Sequence, residues 1–242
     1  MKKIIVAMMA VLMAASVSVA TSEDKVTGDV YVGPVSKYVF RGLDLSENRG
    51  VIQGGVDLSY KNFTLSYWTN YQTISGPTLE AGNATETDIT LNYAYTPVEL
   101  LTLNVGNTYY TFDGFDDTNE LYLKATVNTL LAPTVAMYYD WDNAKQGGLF
   151  YTLSIGHTFN PLKNLGINLG ALASYNAKNP SASVNYNNLH NYELTASLDY
   201  SVTDSIKITP SYLYSNSFNS TARVLGNIHD QSVCALKATF LF

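Results

Sequence analysis

The chain has little charge. Only 14% of its 242 residues are Asp, Glu, Lys or Arg, where a water-soluble domain carries about 25%. It has a single cysteine, Cys234, which excludes an internal disulfide framework and a thiolate metal cluster. Its three histidines, His157, His190 and His229, lack the close spacing of a metal-binding pair, so no metal and no cofactor is expected. Beyond the N-terminus no apolar run is long enough to cross a membrane as a helix. There is no helical period, no glycine-rich phosphate loop, and no Ser/Gly-rich, Pro-rich or charge-block linker.

The N-terminus is a different segment. MKKIIVAMMAVLMAASVSVA has a basic start at Lys2 and Lys3, an apolar stretch over residues 4–15, and small residues at Ser18 and Ala20. This is the pattern of a cleaved secretory signal. The expected organisation is a signal peptide at 1–20 and one domain at 21–242. Removing the signal leaves 12 basic and 20 acidic residues, a net charge of −8, which argues against nucleic acid as a partner.

Tyrosine and small polar residues replace the missing charge: there are 19 tyrosines against 9 phenylalanines and 2 tryptophans. They alternate. In FTLSYWTNYQ (63–72) the apolar residues Phe63, Leu65, Tyr67 and Tyr71 fall on one face, and Ser66, Asn70 and Gln72 on the other. The same period of two recurs to Phe242, predicting about twelve strands of roughly ten residues, the length of a tilted membrane strand. The first is read as 30–40 and the second as 51–60. The connections alternate too. Short turns at 61–62, 96–100, 129–133, 160–164 and 202–204 exchange with generally longer polar loops at 41–50, 74–84, 113–118, 142–147, 176–188 and 215–228. That is the pattern of a transmembrane antiparallel β-barrel, with short periplasmic turns and longer external loops. Aromatics sort by strand end into an outer set (Tyr38, Phe40, Tyr71, Tyr109, Tyr139, Trp141, Tyr175, Tyr212, Tyr214) and an inner set (Tyr60, Phe63, Tyr93, Tyr95, Phe159, Tyr200, Phe240, Phe242), as two headgroup girdles would require.

The segment SKYVFRG (36–42) followed by QGGVD (53–57) resembles the start of the TorF family of porin-type proteins, also called the Gcw_chp family. The specific resemblance covers about forty residues, 28–67. Lys37 stands where the family pattern has aspartate. The resemblance implies an outer-membrane barrel of porin type with no established substrate.

If the apolar face meets lipid, the other face lines a lumen. Its acidic candidates are Asp57, Glu86, Asp88, Glu120, Asp140, Glu193 and Asp199. Its basic candidates are Lys37, Lys124, Lys207 and Lys237, with Arg41 as a charge at the external rim. Twelve strands about 4.8 Å apart, tilted about 40°, enclose a backbone radius of roughly 12 Å, wide enough for a narrow passage. The expected function is a porin-like outer-membrane channel for passive diffusion of ions or small hydrophilic solutes, weakly favouring cations. The expected partners are outer-membrane lipids and the barrel assembly machinery, which would engage the strand ending at Phe242. Two alternatives stand beside it. One is a structural or surface-interaction barrel whose interior charges pair and close the lumen. The other is an outer-membrane lipid hydrolase, disfavoured because no nucleophile motif accompanies the histidines; no enzymatic activity is expected. Cys234 shares the apolar parity of Leu236 and Phe240 and reads as a lipid-facing residue.

Overall fold

The computed structural model describes residues 25–143, 148–179 and 186–242. The signal-peptide expectation for 1–20, and parts of the loops at 142–147 and 176–188, lie outside them.

Twelve strands close into one antiparallel barrel. In chain order the wall is β1 (Thr27–Val35), β4 (Val51–Tyr60), β5 (Phe63–Gln72), β6 (Ala84–Val98), β7 (Leu101–Phe112), β8 (Thr118–Val127), β9 (Thr134–Asp140), β10 (Leu149–Leu162), β11 (Leu165–Ala177), β12 (Asn187–Ser201), β13 (Ile206–Ser217) and β14 (Gln231–Leu241). Each pairs with its neighbour, and β14 pairs back onto β1, with Val30 opposite Phe240 and Val32 opposite Ala238. Closure leaves no sheet edge, which lipid would not tolerate. The alternation sets the two faces. Val32, Leu65, Leu91, Leu153, Leu194 and Phe240 stand exposed on the outer wall, while Asn70, Glu86, Glu120 and Asp140 are buried on the inner one.

One end carries the short turns. The other carries loop 1 (36–50), loop 2 (73–83), loop 3 (113–117), loop 4 (141–148), loop 5 (178–186) and loop 6 (218–230). Loop 6 holds the only helix among the described residues, α1 (Ser220–Leu225), whose first turn is capped by the Asn219 side chain accepting from the Ala222 N–H at 3.0 Å.

The first strand departs from expectation. It leaves the wall at Val35 and does not run to residue 40. The next segment forms a small hairpin of its own, β2 (Val39–Phe40) with β3 (Leu43–Asp44), outside the barrel ladder. Tyr38 and Phe40 therefore do not belong to the outer aromatic girdle. Tyr38 is buried against Trp68, with ring centroids 5.3 Å apart, and Phe40 lies 6.2 Å from Tyr110. Period two continued through the sequence, but the wall did not continue with it. The exit is held by Ser36, whose N–H donates to the Cys234 carbonyl at 2.8 Å and whose Oγ accepts from the Cys234 N–H at 2.9 Å.

Candidate functional site: a loop-1 hairpin inside the barrel mouth

The turn of the loop-1 hairpin is Arg41–Gly42, with φ of 50° and 80°. Positive φ at both central residues is the twist a two-residue hairpin prefers, and glycine adopts it without strain. Gly42 has a second reason to be glycine. A Cβ there would meet Ile228 Cγ2 at 3.0 Å and Asn191 Cβ at 3.2 Å. The tip thus packs against loop 6 and the wall, beside a small apolar cluster of Tyr186, Ala222 and Ile228 that Leu43 joins.

Arg41 is not a rim charge. Its side chain is 7% exposed and forks onto Glu120 of β8, with Nη1–Oε1 at 2.9 Å and Nη2–Oε2 at 2.7 Å. Nη1 also donates to Asn179 Oδ1 at 3.3 Å. The guanidinium lies over three rings, 4.7 Å from Phe40, 5.0 Å from Tyr138 and 4.3 Å from Phe150. Glu120 accepts further bonds from Tyr110 Oη at 3.2 Å and Asn179 Nδ2 at 3.0 Å. A buried ion pair persists only when further hydrogen bonds support it, and here Asn179 and Tyr110 supply them. The planar fork of arginine suits both the bidentate carboxylate and the stacked rings.

His190 fixes the backbone of the same turn. It is fully buried. The cause is a β-bulge. Ala173 pairs with Tyr192 and Tyr175 with Leu189, so His190 and Asn191 together oppose Ser174 and both turn inward. Ser174 Oγ accepts from the Asn191 N–H at 3.0 Å and donates to its carbonyl side. His190 Nε2 lies 2.8 Å from the Arg41 carbonyl, which can only accept, so Nε2 carries the proton. Its Nδ1 is in contact with the Tyr186 hydroxyl, which burial pushes up to about 12 and which therefore stays protonated.

The other expected lumen residues are spread along the barrel. Near the mouth, Lys37 donates to Gln231 at 2.9 Å. Glu86 and Asp88 share the inward face of β6, and Glu86 is buried. Asp140 accepts from Thr118 Oγ1 at 2.9 Å and from the Asn143 N–H at 2.9 Å. Midway, Lys124 sits 4.6 Å from the Tyr122 ring and Glu193 accepts from Asn191 at 2.8 Å. Towards the short-turn end, Asp199 accepts from Thr209 at 2.7 Å and lies 3.6 Å from Lys207. Lys237 stands 5.3 Å from the Tyr31 ring, and Asp57 is directly opposite Asp29. Asp29 and Tyr31, on the inward face of β1, extend the expected set; the alternation in TGDVYVGPV carried that signal.

Loop 1 is also tied to loop 2. The Glu47 carboxylate accepts from the Thr78 N–H at 3.0 Å, from the Thr78 hydroxyl, and from the Leu79 N–H at 3.4 Å. The Thr78 hydroxyl, then the two amides, hold Glu47 below its usual value of 4.5. A depressed folded value means the tie is complete above about pH 4.5 and is lost as pH falls through the folded value. Hydrogen-exchange protection of the Thr78 and Leu79 amides should be flat above that pH and fall below it. In Glu47→Gln it should be lower and independent of pH. Protection unchanged through the acid range in the wild type would remove this tie from the account.

The three histidines have partners other than serine. His157 Nδ1 lies 2.7 Å from the Leu130 carbonyl, and His229 pairs with Asn227 at 3.1 Å; with His190 engaged as described, no histidine bonds a serine among the described hydrogen bonds.

The assembled picture is a closed twelve-strand barrel with a hairpin held in its mouth. Residues 18–146, more than half of the sequence, match the model of a family described as "Bacterial protein of unknown function (Gcw_chp)", and the chain belongs to that family. No curated protein matches it. Among solved structures it is similar to the NanC porin (15% identity, 88% of this chain and 98% of that one, TM-score 0.58). It is also similar to the KdgM porin in complex with disordered oligogalacturonate (16%, 89% and 99%, TM-score 0.54). An outer-membrane channel from Pseudomonas putida F1 is similar too (10%, 93% and 100%, TM-score 0.53). At these identities the likeness is one of fold.

Proposed function

We propose that the protein is a porin-like channel of the outer membrane that passes ions or small hydrophilic solutes, with a weak preference for cations, and that loop 1 controls its mouth. The reading takes residues 1–20 as a cleaved signal and 21–242 as a single barrel domain, inserted by the assembly machinery through the strand ending at Phe242. The observation that carries it is unfilled space inside the barrel beneath the hairpin. Two adjoining cavities of about 290 and 340 Å³ share Val35, Gln53, Ser197, Ser211 and Ala235 on the inner wall. A barrel built only as a scaffold would gain more by filling that volume with apolar side chains.

The cation preference rests on the inward charges. With Asp29 added, carboxylates outnumber cations, and two of the cations, Arg41 and Lys207, already face carboxylates. The same acidic excess disfavours polyanionic sugars here. Asp29 and Asp57 stand side by side near the short-turn end, where nothing neutralises them as closely as Arg41 does Glu120. Single-channel recording of the refolded mature protein in a planar bilayer under a potassium chloride gradient tests the reading. The expected result is discrete steps with a cation-selective reversal potential, shifted toward zero in Asp29→Asn/Asp57→Asn. Anion selectivity in the wild type would refute the preference. A second reading, a barrel closed at rest, is favoured by the fit of the hairpin; it predicts no steps until loop 1 is released.

A further inference from the structure

Loop 1 leaves a hollow on the side facing loops 2 and 3. It holds about 320 Å³ and opens at the long-loop end, a size within the range of small-molecule sites. Its lining is mainly apolar. Phe40, Leu43 and Leu45 come from the loop-1 segment, Leu79 from loop 2, Phe112 from β7 and Phe115 from loop 3. Phe115 is 76% exposed. An apolar surface of this kind, held open to water, marks a binding site more often than chance exposure.

The acidic and basic residues around it are of one kind. Glu86, Asp113, Asp116 and Asp140 all line the hollow, and no lysine or arginine does among the described residues. Glu86 is 3% exposed, and Asp113 and Asp116 are exposed. Aromatic faces and carboxylates together recognise one ligand chemistry, a cation carried on an apolar body. The protein uses the same combination for its own cation on the neighbouring residue of loop 1, where Arg41 lies over Phe40, Tyr138 and Phe150 and forks onto Glu120.

We propose that this vestibule is a binding site for small organic cations with an aromatic or aliphatic body, such as hydrophobic amines and quaternary ammonium compounds. Anions of the same size are excluded by Asp113 and Asp116. Binding does not require an open pore, so the site stands or falls independently of conduction. Because the hairpin forms one wall, an occupant would contact the element that fills the barrel mouth.

The test uses the full-length mature protein, refolded in detergent, with benzyltriethylammonium as probe and benzenesulfonate and benzyl alcohol as controls. Saturation-transfer NMR and titration calorimetry read binding. A ligand of this size at ordinary efficiency binds at about 1 mM. The expected result is saturable binding of the cation, no binding of the sulfonate, and weaker binding of the alcohol. Asp113→Asn/Asp116→Asn should weaken the cation about tenfold, and Phe115→Ala should do likewise, roughly the value of one cation–π or charge contact. All three positions are exposed in loop 3, so the barrel should fold unchanged, which the compact band on an unheated gel verifies. Equal binding of sulfonate and cation, loss of affinity in neither variant, or no saturable binding by the cation would each overturn the proposal.

Discussion

Arg41→Ala should open the barrel mouth while leaving the wall intact. The hairpin is not part of the barrel ladder, so its release costs no wall hydrogen bond. Its tip is held by the Arg41 fork on Glu120, the three rings around the guanidinium, and the His190 bond to the Arg41 carbonyl, besides the packing of Leu43 and Tyr38 and the Glu47 tie to loop 2. Truncating Arg41 leaves Glu120 buried with only Tyr110 and Asn179 as donors. Stranding one partner of a buried pair costs about 3–5 kcal/mol, and the carboxylate recovers that by meeting water once the hairpin leaves. A bias of about 3 kcal/mol is roughly a hundredfold change in the open-to-closed ratio. The expected record is larger or longer conductance steps, with new protease cleavage in loop 1. Arg41→Lys should fall between, since ammonium keeps the charge but loses the fork and the stacking. Arg41→Ala/Glu120→Ala removes both charges and should open less than Arg41→Ala alone. Wild-type conductance and an uncut loop 1 in Arg41→Ala would mean that the hairpin is held by other contacts or does not limit flow.

The sequence made the barrel legible because lipid imposes a strict rule. Every wall strand must alternate, so Leu121, Leu123 and Ala125 or Leu194, Ala196 and Leu198 announce their faces without tertiary knowledge. The alternation of short and long connections then gives topology. Where the site departs from that reading, a local event broke the period. Tyr38, Phe40 and Arg41 keep the spacing of a strand, yet Ser36 ends the wall and the next residues turn inward. Nothing in the alternation distinguishes an aromatic that meets lipid from one that stacks on Trp68. His190 was hidden by a single bulge, because one extra residue inverts the face of everything beyond it. The pairing of Arg41 with Glu120 spans 79 positions, and period two assigns a face but no partner. Loop 1 holds two Arg-Gly pairs, Arg41–Gly42 and Arg49–Gly50. Arg41–Gly42 is a turn whose φ angles require it, whereas Arg49–Gly50 only returns the chain to the wall.

Gly33→Val should abolish the closed barrel. Gly33 lies on β1 at the seam where the last strand, β14, meets the first. Pairing there keeps its register from Asp29–Leu241 to Val35–Ala235 but has no bridge at Gly33 or Pro34, and Pro34 has no N–H to give. β14 approaches closely at this gap. A Cβ on Gly33 would fall inside the contact radius of the Leu236 carbonyl oxygen, 2.8 Å from its carbonyl carbon and 3.0 Å from the Lys237 Cα. All three obstacles are backbone, so no side-chain rotation relieves them. Overpacking in a soluble core costs about 1–3 kcal/mol because neighbours shift. Here the shift is the separation of two strands whose pairing is the condition for having no edge in lipid. Gly156→Ala is the matched control, since its Cβ would meet only the Leu169 carbonyl at an ordinary 3.4 Å. After refolding into vesicles, Gly156→Ala should run as the compact band on an unheated gel and resist protease, while Gly33→Val should run as the unfolded chain. Gly33→Ala should lose part of the compact fraction, since the first carbon alone makes the clash. If Gly33→Val assembles as well as the control, the seam must open locally at Pro34 without cost, and the barrel would be closed by the pairs around Val30 and Val32 alone.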